Sequence, residues 1–207
     1  GKWRGLHTVG FRDSIEALNG IGHAAMMTDP AFRGALAAAG FTLDPATGET
    51  IWTYREPTTR RWEESMRKDY GKGVVYEVVD GRGRIYVITP AFFLHALDAA
   101  TGELLWVHGE NEGVRGQNAP RQLSGRGLAY WSDGREERIL YVTPGYRMVA
   151  LDAKTGNPVP GFGRNGIVDL KTDFDGQKLD LASAPVGLHA TPIVAGNVVL
   201  VGAAFET

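Results

Sequence analysis

The strongest structural signal in the chain is the run Leu97-Asp98-Ala99-Ala100-Thr101-Gly102-Glu103-Leu104-Leu105-Trp106. A similar run stands earlier in the chain, as Leu43-Asp44-Pro45-Ala46-Thr47-Gly48-Glu49-Thr50-Ile51-Trp52, and the spacing is 97 − 43 = 54. The Leu-Asp-x-x-Thr-Gly part returns as Leu151-Asp152-Ala153-Lys154-Thr155-Gly156, with the same spacing, 151 − 97 = 54. Repetition at a fixed interval of this size indicates stacked copies of one supersecondary unit.

Two further anchors keep the same period. The segment Arg84-Ile85-Tyr86-Val87-Ile88-Thr89-Pro90 matches Arg138-Ile139-Leu140-Tyr141-Val142-Thr143-Pro144, again at the spacing 138 − 84 = 54. Tyr76 and Tyr130 stand at the same distance from each other. Agreement at three separate places in the repeat makes a chance match improbable, so the repeat is the basis of the fold prediction.

Each repeat predicts short antiparallel strands. In the best copy, runs rich in β-branched and aromatic residues predict four strands, at 74–79, 85–89, 93–97 and 103–107. The segment Asp98-x-x-Thr101-Gly102 predicts a hairpin turn, since aspartate bonds nearby amides and glycine tolerates a positive φ. Four antiparallel strands in about 50 residues are typical of one propeller blade.

The following repeats are less complete. Strands are predicted at 128–131, 139–142 and 148–151, but the fourth is weak because Pro158 and Pro160 lack the amide that a sheet ladder needs. A further repeat opens at 189–194, turns at Gly196-Asn197 and continues over 198–203. We therefore predict an all-β fold over residues 41–207, a partial β-propeller with about two complete four-stranded blades and two incomplete ones, truncated at the C-terminus.

Residues 1–40 do not follow the period. Segments 13–19 and 29–39 look helical, and the second begins with Asp29-Pro30 and is followed by Gly40. This part of the chain is thus expected to form an insertion or a degenerate blade. Since a blade buries its faces only against neighbouring blades, we expect either a piece of a larger propeller, the favoured alternative, or assembly with further copies of the chain.

Composition excludes several classes of function. Lys and Arg number 22 against 24 Asp and Glu, giving a net charge of −2, so no basic field favours nucleic acid as a partner. No apolar run approaches the length of a membrane-spanning helix. The chain has no cysteine, which excludes disulfides, zinc–thiolate sites and cysteine nucleophiles.

Two motifs resemble those of known propellers. Ala96-x-Asp98-x-x-Thr101-Gly102-x-x-x-Trp106 resembles the tryptophan-docking motif of pyrroloquinoline quinone (PQQ) propeller proteins. Ser124-Gly125-Arg126-Gly127-Leu128-Ala129-Tyr130-Trp131 is similar to a stretch of the PQQ-dependent alcohol and glucose dehydrogenases. The resemblance implies an eight-bladed propeller that holds PQQ with Ca²⁺ or Mg²⁺. It further implies hydride transfer from an alcohol or aldose sugar to the quinone, a membrane quinone or cytochrome as electron acceptor, and a periplasmic location.

The resemblance also implies four cofactor-binding candidates, each with a structural alternative. Arg126 would pair with a PQQ carboxylate through its planar guanidinium, or else form a salt bridge in a surface loop. His189 would face the cofactor or be a hydrogen-bonded structural histidine. Trp131 would wall the pocket or belong to the core. Glu206 would bind the metal or cofactor, or be a solvated carboxylate. No residue matches the family's catalytic base.

One other function remains open at this level. A non-catalytic propeller that acts as a protein-interaction or assembly scaffold would explain the docking repeats equally well. It would not explain the run from Arg126 to Trp131, so we favour the dehydrogenase family. The glycines of Gly161-x-Gly163-x-x-Gly166 fit a dinucleotide fingerprint by letter, but a short strand rather than a helix follows them.

Overall fold

The computed structural model describes residues 41–43, 47, 49–64, 73–120, 122, 127–172, 176 and 178–205. The helices predicted within residues 1–40 lie outside this part. The described elements are, in order, β1 (Phe41–Leu43), β2 (Thr50–Thr53), α1 (Arg60–Glu63), β3 (Val74–Val79), β4 (Arg82–Ile88), β5 (Phe93–Asp98), β6 (Leu104–Gly109), α2 (Val114–Gln117), β7 (Leu128–Ser132), β8 (Glu137–Val142), β9 (Arg147–Asp152), β10 (Ile167–Asp169), β11 (Val186–Leu188), β12 (Ile193–Ala195), β13 (Val198–Leu200) and β14 (Ala203–Phe205). None of the described helices has the length and apolar character needed to cross a bilayer.

Two four-stranded antiparallel sheets dominate the fold. Strands β3, β4, β5 and β6 form the first complete blade in that order, and β7, β8, β9 and β10 form the second. Strands β1–β2, β12–β13 and β11–β14 form two-stranded sheets on either side in sequence. The predicted partial propeller, with about two complete blades and incomplete ones around them, is confirmed for the described residues.

The core lies between the two complete blades. Along β4 the side chains alternate between buried and half-buried, whereas most of β8 and β9 is buried on both faces. A sheet of the second kind needs a neighbour on each side, as a blade inside a propeller has. The buried residues shared by the two blades include Tyr86, Ile88, Leu94, Ile139, Tyr141, Val149 and Leu151.

The first strands of successive repeats are neighbours. Strand β3 contacts β7, and β7 contacts β12. Each of these strands lies at one side of its sheet, as an outermost strand, and their contacts show that the sheets are arranged radially. We call the end of the sheets at which β3 and β7 begin the front edge; the turns 89–92 and 143–146 lie at the same end. The opposite edge, with the turns 99–103 and 153–156, is the rear edge.

The docking motif is confirmed at the rear edge. The Asp98 carboxylate accepts hydrogen bonds from the Thr101 amide (2.8 Å) and hydroxyl (3.0 Å), which closes the predicted turn. In the next repeat, the indole of Trp106 donates to the Ala153 carbonyl at 3.3 Å, and its ring lies against Gly156. The equivalent contacts join Trp52 to the Ala99 carbonyl (3.1 Å) and to Gly102. Each tryptophan thus packs on the turn of the following blade.

The fourth strand of the second complete blade is β10, which forms after the two prolines, where the sequence indicated a short strand. Pro158, next to the turn, makes only an isolated bridge with Leu151. The chain then turns through Gly163 and Gly166, both at positive φ, before β10 pairs with β9. Proline prevents a continuous ladder at 158–160, so the strand forms where the ladder is free of it. The glycine-rich segment is accordingly a turn before a strand.

The last predicted hairpin is also different. Instead of one strand over 198–203, β13 pairs with β12 and β14 pairs with β11, so the hairpin begins at Val186 rather than at residue 189. Pro192 has no amide to continue the ladder. Across the break, a methyl group at Gly202 would lie only 3.2 Å from the Ala190 side chain. Proline on one strand and glycine on the other bend the hairpin in the middle.

Candidate cofactor-binding site

The front edge brings the starts of three inner strands together at Gly127. This buried glycine has φ +108°, a conformation that side-chain-bearing residues rarely adopt. A methyl group there would lie 3.0 Å from the Thr191 hydroxyl oxygen and 3.4 Å from the Cα of Gly73. Glycine is therefore required both by the backbone and by the close approach of two neighbouring strands.

The same position can be compared between the repeats. Two residues before β3, β7 and β12 stand Lys72, Arg126 and Thr191. Lys72 and Arg126 lie outside the described residues, but Gly127 and Thr191 lie within them. Arg126 remains our first cofactor-binding prediction, and the residue that follows it in sequence belongs to the front edge.

His189 and Thr191 lie in the segment at the bend of the last hairpin. Both side chains are exposed. The His189 amide donates a weak hydrogen bond to the Gly202 carbonyl at 3.4 Å, which holds the bend closed. The structure thus presents an imidazole and a hydroxyl on the segment that reaches Gly127. A cofactor-facing His189 stays a prediction.

Trp131 lies at the other end of β7. Its indole donates to the Gly196 carbonyl at 3.1 Å, in the β12–β13 turn, and the Arg138 guanidinium stacks 4.7 Å above its ring centre. Four residues of strand separate it from Gly127, about 13 Å. These contacts support its role as a link between successive repeats at the rear edge; its role in a cofactor pocket is untested and stays a prediction.

The candidate metal ligand is not among the described residues. Glu206 lies beyond them, and the described part of the chain contains no group of three His, Asp or Glu side chains placed to hold a cation. Glu206 as a metal or cofactor ligand remains a prediction from the resemblance.

The connection after β6, which carries α2, is fixed to the turn 143–146. The Glu112 carboxylate accepts hydrogen bonds from the Thr143 hydroxyl at 2.6 Å and from the Gly145 amide at 2.7 Å. The buried Arg115 donates to the Gly145 carbonyl at 2.6 Å. Its two terminal nitrogens each lie 2.6 Å from one oxygen of Asp169, at the end of β10. One turn is thus held by two side chains from the preceding connection.

The charge balance around this ion pair is set by burial. Burial alone would raise the pKa of Asp169, but hydrogen bonds from Arg115 and the Lys171 amide outweigh it and hold that pKa below its ordinary value. Lys171 is fully buried, and its ammonium donates to the Ala184 carbonyl at 2.8 Å. Burial, with the nearby Arg115 charge, lowers the pKa of Lys171.

Sequence reasoning missed most of this network. Thr191 had no signal at the period of 54, and only the observed start of β12 shows that it stands two residues before an inner strand. The spacing of Glu112 from its counterpart Glu56 is 112 − 56 = 56 rather than 54, so the period did not align them. The spacing of Arg115 and Asp169 does equal the period (169 − 115 = 54), but they differ in charge, and a search for like residues passes over them.

The donors at the front edge suit an anionic organic cofactor. PQQ carries three carboxylates, and hydroxyl, imidazole and guanidinium groups are the side chains that donate to carboxylates. The described donors are Thr191 and His189, and the sequence adds Arg126. Glycine stands directly before two of the three inner strands, at Gly73 and Gly127, so no side chain projects there. This part of the site fits the organic cofactor, whereas the metal has no described ligand set.

A β-propeller that carries tryptophan-docking turns defines the broad class of the protein. Its sequence matches the profile of the PQQ family described as "Glucose/ethanol/alcohol dehydrogenase, beta-propeller domain" over residues 78–207. The match covers more than half of the chain. The chain belongs to this family of PQQ-dependent, or quinoprotein, dehydrogenases.

Individual relatives have the same character. The chain is 32% identical over 109 residues to a 1-butanol dehydrogenase (cytochrome c) of Thauera butanivorans, covering 52% of this chain and 15% of the relative. It is 40% identical over 80 residues to the dehydrogenase subunit of an alcohol dehydrogenase (quinone) of Gluconobacter oxydans, covering 37% and 10%. The chain therefore spans a small part of the length of these relatives.

A solved structure shows a similar likeness. The quinohemoprotein alcohol dehydrogenase ADHIIG of Pseudomonas putida HK5 superposes with a TM-score of 0.46 at 25% identity, covering 62% of this chain and 16% of that chain.

Proposed function

We propose that the protein carrying this chain is a PQQ-dependent dehydrogenase that oxidises an alcohol or an aldose sugar. The observation that carries the proposal is the convergence of three inner-strand starts at Gly127, directly after Arg126 and against Thr191. This convergence supports the proposal, because in a member of the dehydrogenase family it would bring carboxylate-binding donors together at one edge of the propeller. A scaffold propeller has no need of them.

The residues of this chain would bind and orient the cofactor. When bound, PQQ supplies the quinone that accepts the hydride of the substrate. Arg126 would pair with one cofactor carboxylate, and Thr191 and His189 would donate hydrogen bonds at the same edge. Glu206 would serve as a metal or cofactor ligand, and the metal would be Ca²⁺ or Mg²⁺. The base that takes the alcohol proton would come from outside the residues of this chain.

The acceptor and location follow the same family logic. The names of the two relatives above include a cytochrome c and a quinone as the oxidant. We propose a membrane quinone or a cytochrome as the electron acceptor of the present protein, and the periplasm as its location. The chain of 207 residues by itself is not expected to turn over substrate, because no residue matches the catalytic base.

The experiment adds PQQ with Ca²⁺ or Mg²⁺ to the full-length protein and follows dye reduction with a panel of alcohols and aldoses. Cofactor affinity is measured separately, by equilibrium dialysis. Arg126→Ala removes the proposed carboxylate partner. Arg135→Ala is the matched control, because Arg135 is an exposed arginine in the β7–β8 turn, at the rear edge.

We expect the wild type to reduce dye and to bind PQQ. Hydrogen bonds to charged groups contribute about 1.5–3 kcal/mol, so Arg126→Ala should weaken PQQ binding by roughly 10- to 100-fold, while Arg135→Ala should not weaken it. No binding of PQQ by the folded wild type would refute the proposal and favour the scaffold. Equal affinities for wild type and Arg126→Ala would remove Arg126 from the site.

A further inference from the structure

Two long connections lead to the front edge. Residues 110–127 join the complete blades and contain Arg126; residues 170–192 follow the second blade and contain His189 and Thr191. The second connection also contains β11, which pairs with β14. The positions of His189 and Thr191 therefore depend on that pairing and on the side-chain contacts that fix the second connection.

The two connections are fixed to each other by polar contacts. Arg115, in the first, forms the two-pronged ion pair with Asp169, where the second begins. Lys171, two residues on, donates to the Ala184 carbonyl and so ties the start of the second connection to its middle. The side-chain amide of Asn118 donates to the Ala182 carbonyl at 3.1 Å, which joins the first connection to the second again.

This ion pair breaks the repeat. The counterpart of Arg115 one period earlier (115 − 54 = 61) is Arg61, which donates to the Glu110 carbonyl at 3.1 Å and stacks over the Phe93 ring. In the first complete blade, Gly109 pairs with Phe93, where Asp169 pairs with Arg147 in the second. The first blade has no carboxylate at that place. A repeat protein departs from its own pattern where one copy has an additional task.

Two ionic side chains at this departure from the repeat are buried. Arg115 and Lys171 are 5% and 1% exposed. Burying ionic groups costs desolvation free energy, and replacing a buried ion pair with an apolar pair of similar volume is often neutral or stabilising in proteins. Simple stability therefore does not explain them. A planar guanidinium bound by two carboxylate oxygens does fix a direction and a distance.

We propose that Arg115, Asp169 and Lys171 are positioning residues of the cofactor site: they hold the connection that leads to Gly127 and the connection that carries His189 and Thr191 at one fixed separation. This inference rests on the proposed function. The three residues act through the segments that they hold and need not touch PQQ themselves.

The test measures PQQ binding and unfolding in the full-length protein. Asp169→Asn keeps the shape of the side chain and removes its charge. Glu56→Gln is the matched control. Glu56 accepts hydrogen bonds from the Thr89 hydroxyl (2.5 Å) and the Ala91 amide (3.3 Å), and these two residues belong to the turn 89–92, which is the equivalent turn of the preceding blade. The PQQ dissociation constant is obtained by equilibrium dialysis with Ca²⁺, and the urea midpoint is recorded for every variant.

We expect Asp169→Asn to raise the PQQ dissociation constant by about tenfold. This is the lower end of the loss of affinity, about 10- to 100-fold, that follows when residues that orient metal ligands are replaced. Glu56→Gln should lower the urea midpoint without such a rise. Asp169→Glu, which restores the carboxylate, should recover part of the affinity. If Asp169→Asn does not fold, Arg115→Lys keeps the charge and loses the planar fork, and the same rise is expected.

Two results would overturn the inference alone: a wild-type protein that binds PQQ with no change in Asp169→Asn, or an equal loss of affinity in Glu56→Gln. Failure of the folded wild type to bind PQQ would instead refute the proposed function, and this inference with it. The wild-type measurement thus separates the two.

Discussion

Glu112 accepts a hydrogen bond from the hydroxyl of Thr143 at 2.6 Å, across the boundary between the two complete blades. Glu56 does the same with Thr89 at 2.5 Å, one repeat earlier. In both cases a second carboxylate oxygen accepts from the backbone amide two residues beyond the threonine. In both cases a carboxylate from one repeat binds the front-edge turn of the following blade. The docking tryptophan of the same repeat binds the rear-edge turn of that following blade.

The first prediction concerns the hydrogen bonds between Glu112 and this turn. Glu112→Ala leaves the Thr143 hydroxyl and the Gly145 amide without their acceptor. An unsatisfied buried polar group costs about 1–3 kcal/mol, and we expect a loss of that size in the free energy of unfolding. Glu112→Gln keeps one acceptor oxygen and should lose less. Urea titration of both variants checks the order, and equal stability of wild type and Glu112→Ala would contradict it.

The second prediction separates tryptophan docking from backbone strain. Gly156 and Gly134 both have positive φ, +74° and +84°. A methyl group at Gly156 would lie 2.6 Å from the Trp106 ring, whereas nothing lies within 4 Å of one at Gly134. Alanine at a left-handed position costs about 1–2 kcal/mol. We expect that cost for Gly134→Ala, and a clearly larger loss for Gly156→Ala.

The comparison is made on the free energies of unfolding of the two variants. If the losses were equal, the ring would move aside freely, and the docking contact would contribute nothing to stability. A larger loss at Gly156 that disappears when Trp106 is also replaced by alanine would assign the difference to this ring.

Local chemistry explains what the sequence could predict. The turn from Asp98 to Gly102 is specified by residues that contact one another within five positions, and it forms as expected. The fourth strand of the second complete blade was expected to be weak because of Pro158 and Pro160, and it forms at β10, where a short strand was expected after Gly166. Its pairing with β9 depends on a contact that is distant in sequence. Long-range polar partners are the hardest: nothing within the sequence near Arg115 indicates Asp169 as its partner.

The same distinction applies to the candidate site. Arg126 and His189 were proposed from motif resemblance, and the motifs indicate residues that bind a carboxylate-bearing cofactor. The network of Glu112, Arg115 and Asp169 consists of residue types that usually occur on surfaces, and only the folded blades show that Arg115 is buried between the two half-buried carboxylates. Gly127 would be found from sequence only by knowing that Thr191 approaches it.

The third prediction concerns pH. The Tyr54 hydroxyl lies 2.6 Å from Nδ1 of the buried His95. Burial lowers the pKa of His95 to about 4, and burial, with the nearby Glu56 charge, raises the pKa of Tyr54 to about 12. The folded state therefore keeps a neutral imidazole hydrogen-bonded to a neutral phenol.

A lowered histidine pKa fixes the sign of the effect. Between pH 6.5 and pH 4 the unfolded chain binds a proton at His95 that the folded chain does not, so stability falls as pH falls through this window. The total is about 3 kcal/mol, since one pKa unit corresponds to about 1.4 kcal/mol. Urea midpoints at pH 7 and pH 4.5 should differ less in His95→Gln than in wild type. An unchanged difference would show that other groups are responsible.

The last prediction returns to the front edge. Gly127→Ala introduces a side chain at φ +108°, 3.0 Å from the Thr191 hydroxyl oxygen and 3.1 Å from its methyl carbon. Strained backbone of this kind costs about 1–3 kcal/mol, and the contact with Thr191 adds to it. Thr191→Ala removes both contacting atoms and leaves the backbone strain. In a double-mutant cycle, Gly127→Ala should therefore destabilise the Thr191→Ala protein by about 1 kcal/mol less than it destabilises the wild type, as neighbours in contact do. Additive losses in urea titrations would mean that Thr191 does not press on Gly127, and the convergence of the strand starts would lose its support.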